Sequence, residues 1–329
     1  MAKKMEDKLG DANWQNFLKF NILEKNCKYS GEWKSNNRHG KGDLTYCNGD
    51  RYIGEFHENL KEGIGEMIFA SLGNSPNTKY IGGWKDNKKF GLGEIIFANG
   101  DYFLGNFKDS KKDGPGILIS ADGSSYHGEY RDDKKFGTGE FTYSDGSVYT
   151  GEWVLDRIKG QGELLMSNGT YYFGQFRDSK KWGLGYSKFE DGSEYHGKWT
   201  RDKTNGIGTV IYANGDTYLG NWSSHAKNGI GLLVGASGKR YIGDWRYDQH
   251  FGVGELSYPD GGVYSGQFVM GGRHGEGRLV SRAGEVWSGY WKNDQKSRQG
   301  RLGGFWDGRG RMVVGQEKQG AMLAVKCQK

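Results

Sequence analysis

The stretch KDNKKFGLGEIIFANGDYFLGNF runs from Lys85 to Phe107, and KDSKKDGPGILISADGSSYHGEY follows it directly, from Lys108 to Tyr130. The two stretches share the order of their basic, glycine and aromatic positions. The same pattern recurs twelve times along the chain, and each copy starts at an aromatic residue: Tyr29, Tyr52, Tyr80, Phe103, Tyr126, Tyr149, Tyr172, Tyr195, Tyr218, Tyr241, Tyr264 and Trp287. They are 23 residues apart, except that Tyr52 and Tyr80 are 28 apart. A fixed period of this length indicates a repeat architecture.

Each unit has an internal spacing of two. In the first unit, Gly31 and Trp33 follow Tyr29 at two and four places, and Gly40 and Gly42 follow a polar run. An apolar-x-aromatic pair comes next, and the unit closes with Asn-Gly or Asp-Gly. A period of two is typical of β-strands, and Asn-Gly and Asp-Gly favour tight turns. Each unit is therefore predicted to be a β-hairpin, with the polar run as its loop.

The predicted fold class is all-β: an elongated single-layer antiparallel sheet of stacked β-hairpins with about 24 strands. The repeated glycines leave bare backbone against which aromatic rings can lie. Three regions are expected: an N-terminal cap segment over residues 1–28, twelve repeats over residues 29–309 with a five-residue insertion near positions 70–79, and a C-terminal cap or tail over residues 310–329. The cap segment is expected to contain a short helix or an extra strand that covers the first hairpin.

The composition supports a repeat body without a deep core. The 329 residues include 58 Gly and 3 Pro, with 14% aromatic and 35% hydrophobic residues, and a compact globule of this length would need a richer core. The net charge of +6 is spread along the chain, which does not indicate nucleic-acid binding. Cys27, Cys47 and Cys327 fit no metal spacing, and the N-terminus lacks a signal-peptide pattern, so a reducing, cytoplasmic location is expected.

Nothing in the sequence indicates catalysis. His127 and His196 share a repeat position, but no metal-ligand spacing such as His-Glu-x-x-His occurs. Gly-x-Gly recurs in nearly every unit, whereas a phosphate-binding loop would be a single copy between a strand and a helix. We therefore predict a non-enzymatic protein with no catalytic, cofactor or metal site and no small-molecule substrate.

The unit YSGEWKSNNRHGKGDLTYCNGDR, residues 29–51, and its successors resemble the MORN (membrane occupation and recognition nexus) repeat family. The resemblance covers residues 29–309. It implies a MORN-only scaffold that binds partner proteins in a larger assembly, such as a ciliary axoneme or a cytoskeletal complex. It also implies a cytoplasmic location associated with the cytoskeleton or cilium.

Two surfaces are candidate protein-binding sites. The aromatic face offers large rings as anchors for a peptide: Trp33, Trp84, Trp153, Trp199, Trp222 and Trp245. The opposite, outer face carries these apolar residues: Ile81, Phe90, Leu92, Trp182, Leu184, Ile207, Ile230, Phe251 and Val253. Those that stand between paired glycines, from Leu92 to Val253, hold positions that are commonly polar in this family. Another protein, a second copy or the chain's own termini would cover this face, or its aliphatic pairs only stabilise the hairpins. A homodimer through the terminal repeats is also considered.

The alternative function is that of a peripheral membrane module. Lys89, Lys112, Lys135 and Lys181 recur at one repeat position, and hairpins in register would align them as a basic edge. Each such cation near an anionic membrane contributes about 1 kcal/mol, so a row of them would bind acidic phospholipid weakly. Aspartates in the same predicted loops cancel part of this charge. The alternative interpretation is that the lysine row only keeps the protein soluble and protects the sheet edge.

Overall fold

A computed structural model describes residues 27–71 and 76–297 and, by their backbone, short strands between residues 301 and 324. The chain forms two compact units, residues 1–158 and residues 159–329. Residues 27–71 and 76–297 contain no α-helix. The helix or strand predicted for the N-terminal cap segment lies outside the described residues.

The first unit holds eleven complete strands. They are β1 (Lys28–Lys34), β2 (Asn37–Thr45), β3 (Arg51–His57), β4 (Leu60–Phe69), β5 (Thr78–Lys85), β6 (Lys88–Ile96), β7 (Tyr102–Lys108), β8 (Lys111–Ile119), β9 (Ser125–Arg131), β10 (Lys134–Thr142) and β11 (Val148–Val154). Each pairs antiparallel with the next strand in the chain up to β11. The unit is one sheet of consecutive hairpins.

The second unit begins within β12 (Arg157–Leu165) and repeats the same arrangement. Its further strands are β13 (Tyr171–Arg177), β14 (Lys180–Lys188), β15 (Glu194–Thr200), β16 (Lys203–Ile211), β17 (Thr217–Ser223), β18 (Ala226–Val234), β19 (Arg240–Arg246), β20 (Gln249–Ser257), β21 (Val263–Val269), β22 (Gly272–Val280), β23 (Val286–Lys292) and β24 (Gln295–Lys296). Short strands follow: β25 (Arg301–Gly303), β26 (Phe305–Trp306), β27 (Met312–Val313), β28 (Gly315–Lys318) and β29 (Ala321–Ala324). The prediction of an all-β, single-layer sheet of stacked hairpins is confirmed.

The turn within each hairpin is shorter than predicted. Strand β7 ends at Lys108 and β8 begins at Lys111, so only Asp109 and Ser110 lie between them. Both have positive φ, 48° and 67°, as a two-residue type I′ turn requires. The polar run is therefore mostly strand, and the prediction that it forms a loop is wrong. Lys89, Lys112, Lys135 and Lys181 lie at the starts of strands.

The first glycine of Gly-x-Gly forms a bulge. In β2, Gly42 pairs with Gly31 and Arg38 pairs with Trp33, so the register shifts between these pairs. Gly40, inside the bulge, has a φ of 61°, which glycine adopts without the penalty that a Cβ imposes. Because of the bulge, Arg38, which lies two residues before Gly40, faces Trp33 on the neighbouring strand.

The core is a single layer of rings on glycine backbone. Tyr126 is fully buried, and its ring covers Gly128 and Gly139, where an added Cβ would lie 2.6 Å from ring carbons. Its hydroxyl donates to the carbonyl of Glu129 at 3.1 Å. Tyr130 meets the same ring edge to face at 5.3 Å. The predicted role of the glycines as seats for aromatic rings is thus what the structure shows.

A disulfide joins Cys27 and Cys47, with 4.8 Å between their Cα atoms. It links the residue before β1 to the turn after β2, across the end of the first hairpin. The sequence analysis did not predict this pairing, because the two residues are 20 positions apart and only the antiparallel register brings them together. Disulfides are rare in reducing compartments, so the cysteines do not support the reducing location expected from the sequence.

A methyl group added at a ring-bearing glycine should destabilise the second unit. In Gly220→Ala, the new Cβ would lie 2.6 Å from Gly231 Cα and against the Tyr218 hydroxyl, so we expect a loss of about 1–3 kcal/mol. Gly235→Ala is the control, because the nearest atoms to its added Cβ are at 3.4 Å. Denaturant unfolding followed by tryptophan fluorescence measures both, and equal midpoints for the two variants would contradict this account of the glycines.

Candidate functional site

The ring-covered side of the sheet, here called the inner face, is closed by cations. Lys135 lies opposite Tyr130 in the hairpin register, and its Nζ lies 4.8 Å from the Tyr126 ring centre and 4.9 Å from that of Trp153. Ammonium groups at such distances are attracted by the ring quadrupole. The same placement recurs at Lys61, Lys89, Lys112, Lys181, Lys227 and Arg273.

Burial lowers the pKa of these lysines. The direction holds for Lys61, Lys89, Lys112, Lys135, Lys181 and Lys227, with burial as the largest cause in each. Lys181 is 7% exposed. The four lysines predicted as a lipid-binding row therefore direct their charge onto aromatic rings. Each of these lysines lies four residues before the second glycine of Gly-x-Gly, as Lys135 does before Gly139. Since that glycine lies on the inner face and strand residues alternate between faces, the sequence could have placed the lysines there.

The neighbouring lysine row is ion-paired. Lys88 and Lys111 contact the turn aspartates of the next hairpin, Asp109 and Asp132, at 2.7 and 2.8 Å. Lys134 and Lys180 contact Asp156 and Asp202 in the same way. These pairs are exposed, and exposed pairs contribute little stability. They do neutralise the edge of the sheet that the sequence predicted to be basic.

Turn aspartates also join consecutive hairpins through the backbone. Asp133 accepts the backbone N–H of Lys112 on Oδ1 at 2.9 Å and donates its own N–H to the Lys112 carbonyl at 3.0 Å. In the second unit, Asp202 accepts the N–H of Lys181 in the same way. An acidic residue at this turn position therefore has a structural role, whatever the protein binds.

The aromatic residues proposed to bind partners are mostly core. Trp84, Trp153, Trp199, Trp222 and Trp245 are 3–8% exposed, whereas Trp33 is 61% exposed. Trp222 Nε1 donates to the Gly208 carbonyl at 3.1 Å, and Trp84 and Trp245 make the equivalent bond. Among the six predicted rings, only that of Trp33 is available to a partner in this conformation.

His250 occupies the cation position in its repeat. Its ring stacks on Tyr241 with centroids 3.6 Å apart and meets Trp245 edge to face at 4.6 Å. Burial, with smaller contributions from the charges of Lys239 and Lys227, lowers the pKa of His250 to about 4. The imidazole is therefore neutral near pH 7. His250 belongs to the polar run that was predicted to be a loop, and the structure instead places it in β20 with its ring on the inner face.

The outer face presents aliphatic side chains from the middle of six of the Gly-x-Gly motifs. In the second unit the row consists of Leu184, Ile207, Ile230 and Val253, and each is 63–66% exposed. In the first unit, Leu92 is 65% exposed and Ile64, which the sequence analysis missed, is 62% exposed. Ile64 also stands between two glycines, Gly63 and Gly65, so the same pattern would have found it.

The predicted aromatic residues of the outer face are covered by cations. Arg177 lies over Trp182 at 5.1 Å, Arg246 over Phe251 at 5.1 Å, and Lys85 over Phe90 at 5.5 Å. Trp182 and Phe251 are partly buried, and so is Ile81, while Phe90 is 47% exposed. The structure therefore brings the aliphatic members of the predicted outer face together as an exposed row and leaves its aromatic members partly covered.

The second unit also contains a cavity of about 380 Å³. It is lined by Arg177, Asp178, Lys180, Trp182 and Arg201. Within residues 27–71 and 76–297, no group of three or more His, Cys, Asp or Glu residues is arranged to hold a metal ion. Over the same part of the chain, no helix has the length and hydropathy to span a membrane.

The chain belongs to the MORN repeat family. The family model for the MORN repeat matches twelve times: residues 29–51, 52–73, 80–102, 103–125, 126–148, 149–171, 172–194, 195–217, 218–240, 241–263, 264–286 and 287–304. These matches begin at the aromatic residues that set the phase of the sequence, so the prediction of about twelve repeats is confirmed.

The comparison with solved structures finds two TCP domains among its matches. The TCP10 domain of Danio rerio CPAP is 16% identical over 62% of this chain and 95% of that chain, with a TM-score of 0.35. The SAS-4 (dCPAP) TCP domain of Drosophila melanogaster, in complex with a proline-rich motif of Ana2, is 16% identical over 47% of this chain and 85% of that chain, with a TM-score of 0.31. The comparison with curated proteins finds no match.

Replacing a ring-covering lysine should cost stability, while replacing its ion-paired neighbour should not. Lys135→Ala removes the cation over Tyr126 and Trp153 and the packing of its methylene stem, a loss of about 1–2 kcal/mol. Lys134→Ala removes an exposed pair with Asp156 and should leave the unfolding midpoint unchanged. Denaturant titration compares the two variants, and a larger effect at Lys134 would contradict the assignment.

Acid should destabilise the second unit through His250. Because the folded pKa is lowered to about 4 from an ordinary 6.5, the unfolded chain binds a proton first as the pH falls. Stability is fully present above pH 6.5 and declines towards pH 4. Each tenfold change in proton affinity is worth about 1.4 kcal/mol, so the loss reaches at most about 3 kcal/mol. His250→Lys should lack this component in unfolding titrations between pH 7 and 4; equal pH slopes would refute it.

Proposed function

We propose that the protein is a non-enzymatic scaffold that binds other proteins through the outer aliphatic row of its repeats. The observation that carries this proposal is the recurrence of Leu184, Ile207, Ile230 and Val253 at one repeat position with nearly equal exposure, 63–66%. Exposed apolar side chains that form a contiguous surface are typical of interaction sites. The inner face is closed by its own lysines and is not part of the proposed site.

The geometry of the row suits an extended contact. Successive members are separated by two strands, or about 10 Å, so four members span about 30 Å. Full burial of one aliphatic side chain contributes about 1.5–3 kcal/mol, and several must act together to offset the cost of association. A partner that runs across the strands would meet one aliphatic side chain per repeat, and the hairpin register keeps these side chains in line.

We place this scaffold in a cytoplasmic assembly of the cytoskeleton or cilium, such as an axoneme. This assignment rests on the family resemblance, since repeat folds host many functions. A second copy of the chain is the other candidate for the row. Anionic phospholipid is disfavoured as the main ligand, because Lys89, Lys112, Lys135 and Lys181 would have to leave their aromatic rings to reach a membrane.

The test replaces the row without disturbing the hairpins. A variant with Leu184, Ile207, Ile230 and Val253 each changed to Thr keeps side chains that suit strands but removes the apolar surface. Lys41→Ser combined with Thr138→Ser is the control, since both residues occupy the same repeat position and are already polar. Tagged proteins are captured from the source cells at about 0.15 M and about 0.5 M salt, which separates apolar from screened contacts, and partners are quantified by mass spectrometry.

We expect stoichiometric partner proteins with the wild type and the control at both salt concentrations, and at least a tenfold loss with the row variant. Retention of every partner by the row variant would exclude the row as the binding surface. A parallel sedimentation assay uses vesicles of phosphatidylcholine with about 30% phosphatidylserine. Salt-sensitive binding to these vesicles, without any protein partner, would favour the membrane function and overturn the proposal.

A further inference from the structure

One hairpin end of the second unit carries a cation where other hairpins carry an aspartate. The first residue of each turn lies two places after the second aromatic residue of its repeat. In two hairpins of the first unit this residue is Asp109 or Asp132, and each is paired with a lysine of the preceding hairpin. In the turn between β15 and β16 the same position holds Arg201, the only basic residue among the twelve.

Arg201 is part of the cavity of about 380 Å³. The lining consists of Arg177, Asp178, Lys180, Trp182 and Arg201. Three cations thus surround the cavity with one carboxylate, and Lys180 is already paired with Asp202 at 2.9 Å. In the part of the chain that the structure describes, Arg177 and Arg201 form no ion pair. Two guanidinium groups are therefore available to an anion that enters the cavity.

Trp182 supplies an apolar wall to the same cavity. It faces Thr200 in the register of β14 and β15, and its ring is only partly buried. The Arg177 guanidinium lies 5.1 Å from the ring centre, and the attraction between a guanidinium and an aromatic ring holds the cation at this place. The cavity therefore combines a flat aromatic surface with two arginines that lack an anionic partner.

The charge of the lining favours a phosphate over a carboxylate. The planar guanidinium of arginine donates paired hydrogen bonds to either group. A carboxylate carries one negative charge, whereas a phosphorylated side chain carries about −1.5 to −2 at pH 7 and has three strong acceptor oxygens. One phosphate can therefore serve both Arg177 and Arg201, and clusters of arginine are a general means of recognising phosphorylated side chains.

The volume of the cavity favours one kind of phosphorylated side chain. A water molecule takes about 30 Å³ of liquid volume, so a cavity of about 380 Å³ has room for about twelve atoms of comparable size. The side chain of phosphotyrosine has about that many non-hydrogen atoms, and that of phosphoserine has about half as many. The ring of a phosphotyrosine would also pack against Trp182, because aromatic pairs attract each other beyond the area that they bury.

We propose that the cavity formed by Arg177, Trp182 and Arg201 binds a phosphotyrosine side chain of a partner protein. The phosphate accepts hydrogen bonds from the two guanidinium groups, and the tyrosine ring packs against Trp182. Phosphorylation of the partner then controls its attachment to the second unit. The proposal does not depend on the outer aliphatic row, because no residue of that row lines the cavity.

Fluorescence polarisation with the full-length protein tests the site. The probes are four labelled peptide libraries that carry phosphotyrosine, phosphoserine, glutamate or tyrosine between random flanking residues. Arg177→Gln combined with Arg201→Gln removes both guanidinium groups of the cavity. Arg240→Gln combined with Arg246→Gln is the matched control, because it removes two exposed arginines of the same unit that do not line the cavity. Denaturant unfolding shows that each variant is folded.

We expect the phosphotyrosine library to bind the wild type at least tenfold more tightly than the other three libraries. The Arg177/Arg201 variant should lose at least tenfold in affinity, and the control should lose nothing. Arg177→Lys combined with Arg201→Lys keeps the charge but not the planar fork of donors, so it should still bind at least threefold more weakly than the wild type.

Three results would overturn the proposal. Equal or tighter binding of the phosphoserine or glutamate library would show that the cavity does not select phosphotyrosine. Equal losses in the Arg177/Arg201 variant and the control would show that only the net charge of the second unit matters. Binding of phosphatidylcholine vesicles with a phosphoinositide, lost in the Arg177/Arg201 variant and without any phosphopeptide binding, would assign the cavity to a lipid headgroup.

Discussion

The contact between a tyrosine ring and two facing glycines is the interaction on which the rest of this structure depends. Tyr195 illustrates it, since its ring lies over Gly197 and Gly208 and any Cβ at either glycine would overlap it. The ring is buried, and its hydroxyl donates to the Lys198 carbonyl at 3.0 Å. Because the rings rest on bare backbone, a single sheet can bury aromatic surface without a second layer of secondary structure.

This local core determines what each face of the sheet can do. The inner face is completed in most hairpins by a cation, as when Lys227 lies over Trp245 at 5.0 Å, and in one hairpin by the neutral imidazole of His250. Ile158 and Thr204, both buried, hold this position in two others. Stability therefore does not require anything to pack on the outer face. The aliphatic residues that stand there, such as Ile230 at 66% exposed, are free to serve binding.

The charged side chains at the hairpin ends are also bound within the sheet. One lysine of a hairpin covers aromatic rings, as Lys135 does. The adjacent lysine, Lys134, forms an ion pair with Asp156 in the turn of the next hairpin. Asp156 also accepts the backbone N–H of Lys135. What looks in the sequence like a basic edge is thus largely neutralised within the sheet. For this reason the aliphatic row, and not the lysines, is the surface to which we assign a partner.

The sequence by itself determined the period, the hairpins, the ring-on-glycine core and the position of the outer row, because strand spacing of two assigns each residue to a face regardless of its surroundings. Only the tertiary structure decided that Asp109 and Ser110 form the whole turn, that Lys181 is buried on rings and that Cys27 meets Cys47. These features depend on backbone dihedral angles at the turn and on contacts between strands. A count of residue spacings contains neither, since the same polar run is compatible with a long loop or with a two-residue turn and two longer strands.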